Sequence, residues 1–327
     1  MKSMYQRKLG KQIAILLVLI VFWCSIQMMI STGMLNPYYE LNLILMCINI
    51  ILAVSLNLIN GFNGQFSIGH AGFMAVGAYG AAIITLKAQL PFPVALLFGA
   101  LLAGVFGILV GLPTLRLRGD YLAIATLGFG EIIRGLIVNI DYIGGAYGLS
   151  GIPKLANWTW VFWLTVLTVV VIANFVNSTH GRATISIREN EIAAEAMGIN
   201  TTKYKVMAFT IGSLFAGLAG GLHAHYFYTI QPGTFNFLKS FDILVMVVLG
   251  GQGSITGSII AAVGLTIISA ALQKLAALRL VIYALLLIIV MIFRPQGLMG
   301  TKEFSFKMFT RKSKDKEGKQ RGTAIGQ

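Results

Sequence analysis

The chain has 327 residues, of which 57% are hydrophobic and 11% charged, and its mean hydropathy is +0.80. A soluble domain of this length carries about a quarter charged residues, so the composition argues against a water-soluble fold and favours the lipid bilayer as the solvent for most of the chain. The formal net charge of +14 would suggest nucleic acid in a soluble protein, but we expect no nucleic acid here, because Lys and Arg mark the cytoplasmic side of membrane proteins.

Ten apolar segments are candidates for membrane-spanning helices. In chain order they are residues 13–30, 41–59, 68–86, 94–112, 121–140, 160–176, 206–228, 241–249, 259–272 and 280–293. The third and eighth are short or interrupted by Gly, so we predict an all-α polytopic membrane protein with about eight to ten transmembrane helices and some broken or re-entrant Gly-rich segments.

A basic leader, residues 1–12, precedes the first span, and a basic tail, residues 301–327, follows the last and should be disordered. The first span has the pattern of a signal peptide as well, but its length favours an uncleaved helix. With ten spans, most of the 25 Lys and Arg residues fall on one side. This asymmetry predicts that both termini and the polar interval 181–205 lie in the cytoplasm.

The interval 181–205 is the longest polar stretch between apolar segments. Ser186 and Glu189 have the spacing of a helix-capping box, and Gly198 can supply the left-handed residue that ends many helices. We predict one short helix of about three turns outside the bilayer, whereas the alternative is a solvated loop. Its small residues form a surface that another protein could approach closely: Ile192, Ala193, Ala194, Ala196 and Met197.

Two Gly-rich segments resemble each other, residues 64–70 and 251–257. Similar breaks in the two halves of a transporter indicate the substrate path, although small residues also permit close helix packing and the match could be chance. The candidates for the path or for packing are Gly64, Gln65, Ser67, His70, Gly250, Gly251, Gln252 and Ser254.

Glu131 and Arg134 are charged residues inside the fifth span, one turn apart on one face. A lone charge at mid-bilayer costs about 2.5–3.5 kcal/mol on insertion scales, so such residues pair or face a cavity. We favour a structural ion pair, with gating or substrate passage as the alternative. Gly128 and Gly130, just before the pair, would let a neighbouring backbone come close.

No pattern in the chain indicates catalysis, a metal or a directly bound cofactor. His223 and His225 are two residues apart and would lie on different faces of a helix, and Cys24 and Cys47 have no metal or disulfide spacing. A Gly-x-x-x-x-Gly-Lys-Ser/Thr loop is absent from the sequence. If ATP, with Mg, energises this protein, a partner subunit must bind it.

The segment Asn63-Gly-Gln-Phe-Ser-Ile-Gly-His-Ala-Gly-Phe73 resembles the M-type permease of branched-chain amino-acid ABC importers. Residues 111–134, 144–153, 247–254 and 293–298 resemble the same family in the same order, so the similarity covers most of residues 40–300. The resemblance implies that residues 13–300 form a transmembrane permease domain. It also implies a multi-pass protein in the plasma (inner) membrane of a bacterium or archaeon.

In that family a cytoplasmic Glu-Ala-Ala-x-x-x-Gly-type segment docks onto the ATPase, and residues 192–198 match it. Ile192 replaces the Glu of the motif, and Glu191 lies one position early. The coupling residues implied by the resemblance are Ser186, Arg188, Glu189, Glu191, Ile192, Ala193, Ala194, Glu195 and Gly198.

The resemblance further implies four kinds of partner: a second homologous permease, two ABC ATPase subunits that use ATP, an extracytoplasmic substrate-binding protein and the lipid bilayer. The implied function is import of leucine, isoleucine and valine by a subunit that is not itself an enzyme. Permeases for urea or short amides, or for sugars or nucleosides, are the alternatives within the wider superfamily. A secondary transporter is the more distant alternative, since only Glu131 offers an intramembrane acid for ion coupling.

Overall fold

The computed structural model describes residues 2–114, 117, 119–273, 281–282, 284–285, 288–289, 292–294 and 297–300, without the side chains of residues 2–13 and 15. Up to residue 273 the described chain forms these helices: α1 (Lys2–Ser31), α2 (Pro37–Asn57), α3 (His70–Leu86), α4 (Phe92–Thr114), α5 (Asp120–Asn139), α6 (Trp158–Asn177), α7 (Thr179–Glu189), α8 (Glu191–Ala196), α9 (Thr201–Phe227), α10 (Phe237–Gly250) and α11 (Ile255–Ala271). Two short strands, β1 (Leu149–Ser150) and β2 (Thr229–Ile230), form one antiparallel pair.

The prediction of an all-α polytopic membrane protein is confirmed. Five described helices are long and apolar enough to cross a membrane, namely α2 with its π-helical extension Leu58–Phe62, α4, α5, α6 and α9. Shorter apolar helices cover Leu16–Ser31, α3 and α11. Within the predicted tenth span, 280–293, the described residues are helical. The predicted tail, 301–327, lies outside the described residues.

Several predicted spans begin too late, because polar caps lie upstream of the apolar residues. Asn200 caps α9 by accepting a hydrogen bond from the Lys203 amide at 3.0 Å, so this helix starts inside the interval that we predicted to be a separate polar segment. Asn236 caps α10 in the same way through the Lys239 amide at 3.1 Å. The eighth span therefore begins at Phe237 rather than at residue 241.

Helices α2 and α9 form the centre of the bundle, because 72% and 67% of the residues in their apolar stretches are buried. Close packing around α9 depends on small residues. A Cβ atom on Gly77 of α3 would lie 2.2 Å from the Gly217 Cα, and one on Gly217 would lie 2.3 Å from the Ala103 Cβ of α4. Without a hydrophobic driving force between helices in lipid, such backbone approach supplies the packing that holds them together.

Helix α3, which follows the first Gly-rich break (residues 64–70), begins inside the bundle. Gly77 contacts Gly217 and Thr85 contacts His225 at 2.9 Å, so α3 runs parallel to α9 with a constant offset. That offset places the start of α3 about 14 Å further along the bundle than the start of α9. Residues 63–69, which connect α2 to α3, are non-helical and mostly buried. A buried, non-helical segment therefore joins α2 to α3.

The bundle has two distinct ends. The strand pair β1–β2 joins the α5–α6 connection to the α9–α10 connection at one end, which we call the hairpin end. At the other end, which we call the α7–α8 end, α2 finishes its π-turn, α7 and α8 follow α6, and α9 begins. The residues predicted to contact an ATPase all lie at the α7–α8 end.

Candidate coupling and translocation site

The predicted single helix in the coupling segment is two helices, and its predicted capping box is wrong. Asn190 adopts an extended conformation that ends α7, and its side chain accepts a hydrogen bond from the Ala193 amide at 3.0 Å, which starts α8. Ser186 lies within α7 and donates to the Ala183 carbonyl at 2.8 Å, while Glu189 is the last residue of α7. An Asn that both breaks one helix and caps the next replaces the Ser-x-x-Glu start.

The predicted helix stop at Gly198 is confirmed. This residue has a φ of +81°, in the left-handed region that favours Gly. The amides of Gly198 and Ile199 donate to the carbonyls of Glu195 and Ala194 at 2.9 and 3.0 Å, which satisfies carbonyls at the end of α8. The chain then reverses directly into α9, so α8 and α9 form a compact corner.

The surface of α8 differs from the predicted one at Ala194. Ile192 and Met197 are 72% and 82% exposed, and Ala193 is also exposed, whereas Ala194 is only 4% exposed. Ala194 therefore belongs to the interior of this chain and is not part of an open docking face. The face that remains available to another protein comprises Ile192, Ala193, Ala196 and Met197.

Two carboxylates connect α8 to the first two turns of α9. Glu191 forms an ion pair with Lys205 at 2.6 Å, in which the Lys side chain is 11% exposed. Glu195 accepts a hydrogen bond from the Thr201 hydroxyl at 2.7 Å. Charge-assisted bonds of this length are the strong ones, so these two contacts hold α8 against α9.

Arg188, at the end of α7, reaches the first Gly-rich break. Its Nη1 donates to the Gly61 carbonyl at 2.8 Å, while its Nε and Nη2 donate to the Glu189 carboxylate at 3.1 and 2.5 Å. A Cβ atom on Gly64 would lie 2.7 Å from the Arg188 Cγ, and one on Gly253 would lie 2.8 Å from the Arg188 Nη1. One predicted coupling residue therefore touches both Gly-rich breaks.

The second break contacts the end of α2 through Asn57, which the sequence analysis did not single out. Its Oδ1 accepts from the Gly253 amide at 2.9 Å, and its Nδ2 donates to the Ser254 carbonyl and the Ser258 hydroxyl, each at 2.9 Å. A Cβ atom on Gly61 would lie 2.3 Å from the Gly253 nitrogen. The second break therefore packs against the end of α2 and its π-helical extension, and the signal for this contact in the sequence is an Asn inside an apolar span.

Other predicted residues of the second break have local roles. The Ser254 hydroxyl caps α11 by accepting from the Gly257 amide at 3.1 Å. Gly250 packs against Gly257, since a Cβ atom on Gly250 would lie 2.5 Å from the Gly257 carbonyl carbon, and Gly251 has a φ of +111°. Gln252 is exposed. Of the candidates predicted in this segment, Gln252 is therefore the one that faces away from the protein interior.

The first break contains an unusual number of buried polar atoms. The His70 Nε2 is 2.9 Å from the Ser55 hydroxyl, the Ser67 amide donates to Asn60 at 3.2 Å, and Gln65 accepts from Asn63 at 2.5 Å. Asn63 Oδ1, Gln65 Nε2, Ser67 Oγ and His70 Nδ1 are nevertheless buried without a hydrogen-bond partner in the described part of the chain. Groups of this kind can bind water or a polar solute.

The predicted pairing of Glu131 and Arg134 is confirmed, with 2.7 Å between Glu131 Oε2 and Arg134 Nε. The second oxygen of Glu131 accepts from the Phe237 amide at 3.1 Å. The pair therefore links α5 to the first turn of α10, where a negative charge is favourable. The two side chains are 34% and 37% exposed and line a cavity of about 580 Å³ together with Leu127 and Asn236.

The two Gly residues before this pair behave differently. Gly130 packs on α3, since a Cβ atom on Gly72 would lie 2.8 Å from the Gly130 Cα. A Cβ atom on Gly128 would meet no atom of the described residues within 4 Å. The predicted close backbone approach is therefore confirmed at Gly130 and wrong at Gly128, which lies on the other side of the helix.

Known proteins resemble this chain over most of its length. The sequence profile described as "Branched-chain amino acid transport system / permease component" matches residues 38–291. The high-affinity branched-chain amino acid transport system permease protein LivM of Salmonella typhimurium is 34% identical over 95% of this chain and 79% of its own. LivM of Escherichia coli is 36% identical over 87% and 73%, and LivH of the same organism is 31% identical over 44% and 47%. No solved structure matches the chain significantly.

Proposed function

The chain belongs to the family of permease components of branched-chain amino acid transport systems, and from this premise we propose that it is the M-type permease subunit of an ATP-driven importer of leucine, isoleucine and valine. The proposal rests on the identity to the LivM proteins, which extends over nearly the whole chain. The partial similarity to LivH supports a second, homologous permease as the partner in the membrane.

Two ABC ATPase subunits and an extracytoplasmic binding protein complete the proposed importer. ATP is bound and hydrolysed, with Mg, by those ATPases, and this chain provides the surface on which one of them acts. The proposed contact is the exposed face of α8 and of the residue after it, which comprises Ile192, Ala193, Ala196 and Met197. We place this face and both termini in the cytoplasm of a bacterial or archaeal cell, as the distribution of basic residues indicates.

The observation that carries the coupling proposal is the position of Arg188. Arg188 extends from the end of α7, next to the proposed ATPase contact, to the Gly61 carbonyl. It also lies against both Gly64 and Gly253. A movement of α8 would reach α9 through Glu191 and Lys205 and reach both breaks through Arg188. In transporters, broken helices form the substrate site around which one part of the bundle rocks or gates against the other in alternating access.

Reconstitution tests the proposed function. The chain is coexpressed with the second permease, the two ATPases and the binding protein that its genome encodes, and the complex is placed in liposomes. We expect uptake of labelled leucine that requires ATP and the binding protein and that isoleucine and valine inhibit by competition. Uptake that is inhibited by urea, ribose or a nucleoside, and not by isoleucine or valine, would assign the chain to another substrate class.

A further inference from the structure

A cavity of about 540 Å³ lies between α2, α10 and α11, and two opposite charges line it. Lys239 and Asp242 come from α10, where their spacing places them one turn apart on one face. The predicted eighth span began at residue 241 and left Lys239 outside the membrane helix, whereas α10 includes it. The apolar part of the lining includes Leu45, Leu238 and Met246.

The Lys239 ammonium lies level with the middle of the helix Pro37–Phe62, which is long and apolar enough to cross a membrane. The Lys239 Nζ donates to the Asn49 Oδ1 at 3.3 Å, and the Asn49 Nδ2 donates to the Thr266 hydroxyl at 3.0 Å. Asn49 is close to the midpoint of the continuous helix Pro37–Phe62, about 18 Å from one end and 20 Å from the other. Charges at this depth are costly, so they mark functional sites when they face a cavity.

We infer that this cavity binds the α-amino-acid zwitterion during transport. The Lys239 ammonium receives the substrate carboxylate and the Asp242 carboxylate receives the substrate ammonium. The branched side chain then contacts the apolar wall around Leu45 and Met246. The volume lies within the range of about 300–1,000 Å³ that small-molecule sites occupy. This inference deepens the proposed function and depends on it.

The pair Glu131–Arg134 lines a different cavity and links α5 to α10 through the Phe237 amide. In the α2–α10–α11 cavity, the charged groups lie beside the side-chain amide of Asn49 and an apolar wall. This combination suits a zwitterion that carries an apolar side chain. A neutral sugar or amide would need no fixed charges of both signs.

Photolabelling tests this inference on the wild-type complex. A diazirine analogue of leucine is delivered by the binding protein to the reconstituted importer during ATP turnover, and the adducts are mapped by mass spectrometry. We expect adducts within residues 41–49 of α2 and 238–246 of α10. Adducts confined to the first break, residues 63–70, or to the part of α5 around Glu131 would overturn the inference.

Two variants provide an independent measurement. We expect Lys239→Met and Asp242→Asn each to lower leucine uptake per ATP hydrolysed by about tenfold or more, the effect of losing one charged hydrogen bond, and to lose the photoadduct. Lys154→Met and Asp141→Asn, at exposed positions near the hairpin end, are the matched controls and should behave like wild type. If the wild type imports leucine and uptake by both cavity variants is within twofold of wild type, this inference alone is overturned. If the wild type imports no leucine, the proposed function is overturned.

Discussion

Replacement of Arg188 by Gln should uncouple ATP hydrolysis from transport. The guanidinium bridges the end of α7 and the Gly61 carbonyl at 2.8 Å, and it fills the space between Gly64 and Gly253. Gln is shorter and uncharged, so it cannot span from α7 to Gly61 while retaining the Glu189 contacts. Arg188→Lys keeps the charge but lacks the planar fork of donors, and it should fall between wild type and Arg188→Gln.

The size of the effect follows from the two contacts. Glu189 is 66% exposed, so its ion pair with Arg188 is a surface pair worth about 0–1 kcal/mol. Gly61 is buried, and a hydrogen bond from a charged donor to such a carbonyl contributes about 1.5–3 kcal/mol. If only one transport state contains this bond, its loss changes the coupling between ATP hydrolysis and substrate transport by about 10- to 150-fold.

The assay is the ratio of leucine imported to ATP hydrolysed in proteoliposomes that contain the whole complex. Arg188→Gln should retain assembly and ATP hydrolysis and lower this ratio by about tenfold or more. Arg182→Gln is the matched control, because Arg182 lies on the same helix but is exposed and bonds only to the Asn177 carbonyl among the contacts described, at 3.3 Å. A ratio for Arg188→Gln within twofold of both the control and wild type would refute the reasoning.

Ala193→Arg, on the exposed face of α8, should lower copurification of the ATPases by about tenfold or more, since it places a charge in a packed contact; full copurification would contradict the docking proposal. Arg134→Met should lower the yield of the assembled complex severalfold by leaving Glu131 without its cation. Glu131→Leu combined with Arg134→Met should recover only part of that yield, because the Phe237 amide loses its acceptor. Normal yield with lost uptake in the double variant would favour a transport role for the pair instead. In a background without the two native cysteines, an impermeant thiol reagent should label Ser150→Cys in intact cells and Met197→Cys only after permeabilisation, and the opposite result would invert the proposed topology.

Features that depend on neighbouring residues could be predicted from the sequence. The pairing of Glu131 with Arg134 follows from their spacing on one helix, and the stop at Gly198 follows from the left-handed conformation that Gly adopts easily. The helices themselves follow from apolar length. Their starts were placed late where an Asn outside the apolar run, such as Asn200 or Asn236, supplies the cap.

Features that depend on residues far apart in the chain could not be predicted. Arg188 and Gly61 are separated by 127 positions, and Asn57 and Gly253 by 196, so no local pattern connects them. The similarity of the two Gly-rich breaks indicated related structure but not that Arg188 lies against Gly64 of one and Gly253 of the other. The burial of Ala194 was also missed, because the split at Asn190 rotates α8 relative to the single helix that the capping pattern predicted.

The most direct test of the coupling account is photocrosslinking from α8 in the assembled complex. A photoreactive benzoylphenylalanine replaces Ile192, which is 72% exposed, or, as the control, Tyr147, which is 95% exposed near the hairpin end. The account predicts an adduct between this chain and an ATPase subunit from position 192, with a yield that changes when ATP is added, and none from position 147. An ATPase adduct from position 147, or its absence from position 192 in a complex that hydrolyses ATP, would contradict the account.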